Sequence, residues 1–188
     1  MKHFKWQRSG RPVLGLIAII WVVEALNWLL GHRLNTWGIE PRSLTGLVGI
    51  AAAPVLHSGW GHTLSNTFPL LVFGYLICLR SAGRFIRVSC LIVAGGGFAV
   101  WLLGRSAIHV GASGLVFGLF GYLLGCAWYE RSGAAVVCAA VVGLLYGALI
   151  FGLLPSAGVS FESHIFGFLA GIALAKADGP RLRAQARR

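Results

Sequence analysis

Acidic side chains are scarce: the 188 residues contain five aspartates and glutamates, against 16 lysines and arginines. Few acids are therefore available to serve as the third, acidic member of a catalytic triad. Charge of either sign is sparse, at 11% of residues. A water-facing surface carries about 25% charged residues, so a soluble domain is excluded. The four cysteines, Cys78, Cys90, Cys126 and Cys138, have no metal-ligand spacing and fall in or at the edge of apolar runs. They are read as small packing residues. Internal repeats and low-complexity tracts are missing, apart from a basic tail at 181–188. A transporter built on repeated, interrupted helices is therefore disfavoured.

Apolar residues dominate, at 57% of the chain. A membrane-spanning helix needs about 20 of them in succession. Candidate spans are 12–30, 62–79, 85–103, 113–129, 134–153 and 163–177. The first has a basic start like a signal peptide, but its apolar run is too long and has no small-residue cleavage site, so it is read as a retained span. The loop 31–61 between the first two spans contains "WGIEPRSLTGLVGIAAAPVLHSGW". Its amphipathic, Gly/Pro-punctuated text predicts an element lying partly in the interface.

The net charge of +11 is distributed like that of a membrane protein, not of a nucleic-acid binder, because the cations sit at the ends of apolar runs. With the N-terminus in the cytoplasm, every lysine and arginine except Arg33, Arg42 and Arg105 falls on the cytoplasmic side. Both termini are then cytoplasmic. The expected layout is a basic N-terminus at 1–11, a six-helix membrane domain at 12–177 and a basic tail at 178–188. No organelle-targeting segment is evident, which points to a bacterial cytoplasmic membrane.

In this orientation spans two, four and six begin on the outer side, and those beginnings carry His62 and Asn66, Ser113, and His164. Polar groups inside a membrane are costly and mark function. Spans four and six are also short. At 1.5 Å per residue they cover roughly 25 and 22 Å, less than the about 30 Å hydrocarbon core. The loop 104–112 must then dip inward around a wet, recessed pocket.

Ser113 is the candidate nucleophile and His164 the candidate base, since a serine hydroxyl is weak until a neighbour takes its proton. Gly114, Gly118, Gly121 and Gly125 form one stripe of span four. Gly167 and Gly171 share the face of His164. Facing glycine stripes let two backbones approach closely and would bring serine and histidine together. Glu162 lies two residues before His164 and points elsewhere, so a Ser-His dyad is expected in place of a triad. Glu24, in the first span, is assigned to the bundle interior or to Asn27. His62 and Asn66, four apart, share a helical face and can donate to a developing oxyanion, as can the Ser113 amide at its helix start. His57 is expected to brace the long loop, and His109 takes a generic polar role. His3 and His32 look peripheral. A three-histidine metal site of His57, His62 and His164 is the competing use of these residues, but the spacing of the first two suits one helical face poorly.

At these residues the chain resembles the rhomboid family of intramembrane serine proteases. "HSGWGHTLSN" is similar to its second-span pattern with His57, His62 and Asn66. "GASG" resembles its nucleophile motif with Gly111, Ser113 and Gly114, and "HIFGFLAG" its last-span pattern with His164, Gly167 and Gly171. The resemblance implies an all-α, six-helix bundle with a long, partly embedded first loop. It implies Ser113 as nucleophile, His164 as base, and His62, Asn66 and the Ser113 amide, with Gly111, on the oxyanion and substrate side. His57, Gly114, Gly167 and Gly171 support them. Phe117 stands where the family often has a tyrosine stacked on the histidine. Partners implied are transmembrane protein substrates and the lipid bilayer, with no cofactor and no metal. The alternative is a catalytically silent relative that binds membrane-protein clients.

Overall fold

A computed structural model describes residues 10–156 and 158–186. The basic stretch 1–9, with His3, and the terminal Arg187 and Arg188 lie outside the described residues. Seven α-helices are present among the described residues: α1 (Arg11–Leu29), α2 (Leu44–Ala52), α3 (Trp60–Arg80), α4 (Ala82–Leu103), α5 (Ser113–Glu130), α6 (Gly133–Tyr146) and α7 (Phe161–Ala186). Short 3₁₀ segments at Arg33–Trp37 and Ala53–Val55 flank α2, and another, Gly147–Leu153, continues α6.

The seventh α-helix is α2, which lies inside the loop expected to stay partly in the interface. Ser43 caps it by accepting from the Gly46 amide at 2.9 Å. The helix leaves Leu44, Leu47 and Val48 exposed. Four helical segments are long and apolar enough to cross a membrane: α1, α3, α4 and α6 with its 3₁₀ extension to Leu153. α5 and α7 are not among them.

The surface is the reverse of a soluble protein's. α1 buries Glu24 and Asn27 together with Val13 and Ile20, and exposes Leu14, Ile19, Val22 and Leu26. A helix with its polar residues inward and its apolar residues outward is solvated by lipid, and the protein is an integral membrane protein. Glu24 is fully buried in the bundle interior, one turn from Asn27, whose side chain also serves distant segments. The Asn27 side-chain amide donates to Asn35 Oδ1 at 2.9 Å and to the His57 carbonyl at 3.0 Å, and its Oδ1 accepts from the Leu34 amide at 3.0 Å. Neither Glu24 carboxyl oxygen has a hydrogen-bond partner among the described residues.

α5 runs through the centre, buried over most of its length, and its partnership with α7 is the most extensive helix pair of the fold. α7 does not stop at 177 as its apolar run predicts. It continues to Ala186 although Pro180 forfeits a helical hydrogen bond. Three contacts hold this extension against its neighbours: Asp178 pairs with Arg87, Asp178 also accepts from the Tyr122 hydroxyl at 2.8 Å, and Arg183 donates to the Tyr129 carbonyl. At the same end of the bundle, Arg80 of α3 pairs with the buried Glu130 of α5.

Candidate active site

The close approach of α5 and α7 depends on missing side chains. A β-carbon on Gly167 would lie 2.0 Å from the Gly114 carbonyl oxygen, and one on Gly171 would lie 1.9 Å from that of Gly118. From the other helix, a β-carbon on Gly121 would lie 2.4 Å from the Phe168 carbonyl oxygen. The neighbours in each case are backbone, which cannot turn aside. The two glycine faces therefore meet in contact, as their spacing predicts.

That contact fixes the ends of both helices. His164, near the start of α7, places Nε2 2.9 Å from Ser113 Oγ at the start of α5. Its Nδ1 lies 2.7 Å from the Gly152 carbonyl oxygen. A carbonyl only accepts, so Nδ1 carries the proton and Nε2 presents its lone pair to the serine hydroxyl. Phe117, one turn after Ser113, stacks flat on the imidazole with centroids 4.1 Å apart and planes 5° from parallel. The ring is thus held on one face by an aromatic and at one edge by backbone.

A cleft of about 810 Å³ opens over this pair, lined among others by Ser58, His62, Asn66, Ser113, Phe117 and His164. His62 and Asn66 come from the first turns of α3. His62 Nδ1 pairs with Ser58 Oγ at 3.1 Å, and Asn66 donates to the His62 carbonyl at 3.0 Å, which leaves one amide proton of Asn66 unspent. Gly111 has φ of +117°, and a β-carbon there would lie 2.7 Å from His62 Cε1 and 2.8 Å from its Nε2. Only glycine fits both the left-handed backbone and the imidazole against it. Gly111 and Gly114 line a separate cavity of about 40 Å³ behind the serine.

The family model of the Rhomboid domain matches residues 44–181, which spans the whole of this arrangement. The chain belongs to the rhomboid family. An uncharacterized protein of Mycobacterium tuberculosis is 36% identical over 184 residues, covering 93% of this chain and 77% of that one. Rhomboid-like protein 11, chloroplastic, of Arabidopsis thaliana is 31% identical over 197 residues, covering 90% and 68%. RHOMBOID-like protein 4 of the same plant is 38% identical over 125 residues, covering 63% and 31%. Rhomboids include proteases and inactive members, so membership alone does not assign chemistry.

In this rhomboid, His57 lies behind the site and is fully buried. Its Nε2 accepts from the Ala112 amide at 3.2 Å, one residue before the serine, while its carbonyl accepts from Asn27. The histidine ties α1 and the long loop to the start of α5. Burial, with a smaller contribution from the neighbouring His62, pushes its pKa from 6.5 down to about 4. A nitrogen that accepts from a backbone amide must stay unprotonated. The unfolded chain binds this proton below pH 6.5 and the folded one only near pH 4, so stability falls as pH drops through that window. The loss expected is about 3 kcal/mol. Thermal unfolding in detergent at pH 7 and pH 4.5 measures it, and His57→Gln is expected to shrink the difference.

The Gly152 carbonyl as the partner of His164 could not be read from residue types, because a backbone acceptor leaves no trace in them. Glu162 does point away from the dyad, as its spacing predicts, and it faces Arg105 at 3.5 Å. Arg105 also donates to the Val159 carbonyl at 2.5 Å and lies 5.1 Å from the Phe161 ring centroid. His109, buried in the loop 104–112, pairs with Ser160 and exchanges bridging backbone hydrogen bonds with Ile39. Burial lowers its pKa. Both residues join the loop 104–112 to the rim 158–162. His32 adopts a left-handed backbone before the 3₁₀ segment Arg33–Trp37 and takes no part in the cleft.

Proposed function

We propose that this rhomboid is an intramembrane serine protease that cleaves transmembrane segments of other membrane proteins. The observation that carries the reading is the 2.9 Å contact between Ser113 Oγ and His164 Nε2, with the other ring nitrogen occupied by the Gly152 carbonyl. Such a histidine has the tautomer of a general base. In this reading Ser113 attacks the peptide carbonyl carbon and passes its proton to Nε2. The oxyanion is met by Asn66, His62 and the Ser113 amide, with Gly111 leaving room for the His62 imidazole beside it. His164 then protonates the leaving amine, and water hydrolyses the acyl-enzyme by the same steps in reverse order.

The same reading takes α1, α3, α4, α5, α6 and α7 as six spans with α2 resting in the interface. It places both termini in the cytoplasm of a bacterial cell, with the segments 1–11 and 178–188 as basic ends that meet anionic lipid. The cleft then opens on the outer side, below the membrane surface, where water reaches Ser113. A substrate helix must unwind locally there to present its backbone.

Fluorophosphonate labelling of the detergent-purified protein tests the proposal. Labelling of the wild type that is lost in Ser113→Ala and in His164→Ala is expected. Labelling that survives Ser113→Ala overturns the nucleophile assignment. A folded wild type that neither labels nor cleaves a transmembrane substrate is a silent, client-binding rhomboid.

A further inference from the structure

A second large concavity lies away from the dyad. It is a groove of about 820 Å³ between α1, α2 and α4, with Leu16, Leu47, Ile50, Phe85, Val93 and Phe98 in its walls. Its volume falls in the range of about 300–1,000 Å³ typical of small-molecule sites. The wall is apolar almost throughout. Its polar side chains are Ser89, buried and without a hydrogen-bond partner among the described residues, and the exposed thiol of Cys90. The rim side chains Leu47, Ile86 and Phe98 are exposed. The groove therefore opens sideways, onto the part of the surface that lipid covers.

One end of the groove is charged. Pro12 on one wall follows Arg11, and Phe85 and Ile86 on the other stand between Arg84 and Arg87. The two walls are level there, since Val13 and Phe85 both approach Gly74. Arg11 is exposed, and Arg87 remains 45% exposed while paired with Asp178. This end thus has more positive than negative charge, at the height where α1 and α4 begin. An apolar slot running from a cluster of arginines toward the bundle centre matches an anionic amphiphile in both shape and charge.

We propose that the α1–α2–α4 groove binds one anionic glycerophospholipid, with an acyl chain in the slot and its phosphate against Arg11 and Arg87. A phosphodiester fits better than a fatty carboxylate because the exposed cations beside that end are arginines, and guanidinium favours phosphate geometry. Ile50, Pro54, Val93 and Leu115 line both this groove and the small cavity behind Ser113. The bound chain packs against α2 and the Ala53 turn, whose carbonyl accepts from the Gly111 amide at 2.9 Å. The lipid supports that backbone from outside, and its binding does not depend on the protease reading.

The test compares dioleoyl phosphatidylglycerol with dioleoyl phosphatidylcholine on the delipidated full chain by native mass spectrometry. Retention of a single phosphatidylglycerol is expected, with a preference over phosphatidylcholine that falls about fivefold in Arg11→Gln, the effect of one cation near an anionic headgroup. Ala94→Trp fills the slot and is expected to remove the bound lipid. A phosphatidylglycerol carrying a photoreactive acyl chain, applied to the wild type, is expected to crosslink within 47–55 and 85–98. Equal retention of the two lipids, or crosslinks spread evenly over all lipid-facing helices, overturns the proposal and leaves annular lipid only. Should Ala94→Trp not fold, the wild-type crosslink map decides alone.

Discussion

His164→Ala is expected to slow cleavage of a transmembrane substrate by on the order of 10³-fold or more, and Ser113→Ala to do at least as much. The double variant is expected to be no slower than Ser113→Ala. The 2.9 Å contact between the two side chains makes them one device: without the base the hydroxyl is not activated, and without the hydroxyl the base has nothing to activate. Losses from parts of a single device do not add. Rates of all three variants on one reconstituted substrate measure this. Additive losses would mean that His164 acts on something other than Ser113, and the proposed mechanism would fail. Thermal unfolding of His164→Ala is a necessary control, because the ring stacked on Phe117 and bonded to Gly152 also packs the cleft.

Gly171→Val is expected to destabilise the protein by about 3 kcal/mol or more, and to remove fluorophosphonate labelling even from molecules that stay folded. Overpacking a well-filled core costs about 1–3 kcal/mol when side chains can yield. Here the first added carbon already falls 1.9 Å from a backbone oxygen, so the helices themselves must separate. Separation moves His164, two turns away on the same helix, from Ser113. Gly95→Ala is the matched control. No atom lies within 4 Å of a β-carbon at Gly95, and the exchange is expected to be neutral or to stabilise α4 by up to about 1 kcal/mol. Thermal unfolding in detergent, with labelling on the same samples, separates the two effects. Equal tolerance at both positions would contradict the close helix contact.

The glycine register made much of this legible. Spacing alone put Gly114, Gly118, Gly121 and Gly125 on one face and Gly167 and Gly171 beneath His164, and the helices pack on those faces. Costly polar residues at span ends likewise marked His62, Asn66, Ser113 and His164, which share one cleft. What stayed hidden has specific causes. The acceptor for His164 Nδ1 is a main-chain carbonyl at Gly152, with no side chain to signal it. The extension of α7 to Ala186 rests on Arg87, Tyr122 and Tyr129, contacts made across the fold and invisible to local hydropathy. Asn27 lies three residues from Glu24, and its side-chain amide also reaches Asn35 and the His57 carbonyl in distant segments, which local spacing does not show.

The two helices that carry the dyad are the ones not apolar enough to qualify as spans by themselves, and this bears on how the protein is made. A segment enters the bilayer from the translocon according to its own apolarity, and α5 and α7 have given part of theirs up to glycine, histidine and serine. Between them in the chain lies the 133–153 segment, the most apolar of the four qualifying spans. It is the natural anchor, with a weaker helix tethered on either side. On the six-span reading, an order of biogenesis is expected: the strong segment partitions first, and α5 and α7 are retained by pairing with each other. The glycine contact that builds the cleft is then expected to complete insertion as well, so a polypeptide that fails to form it is left with two weakly apolar helices without their partner, a target for quality control.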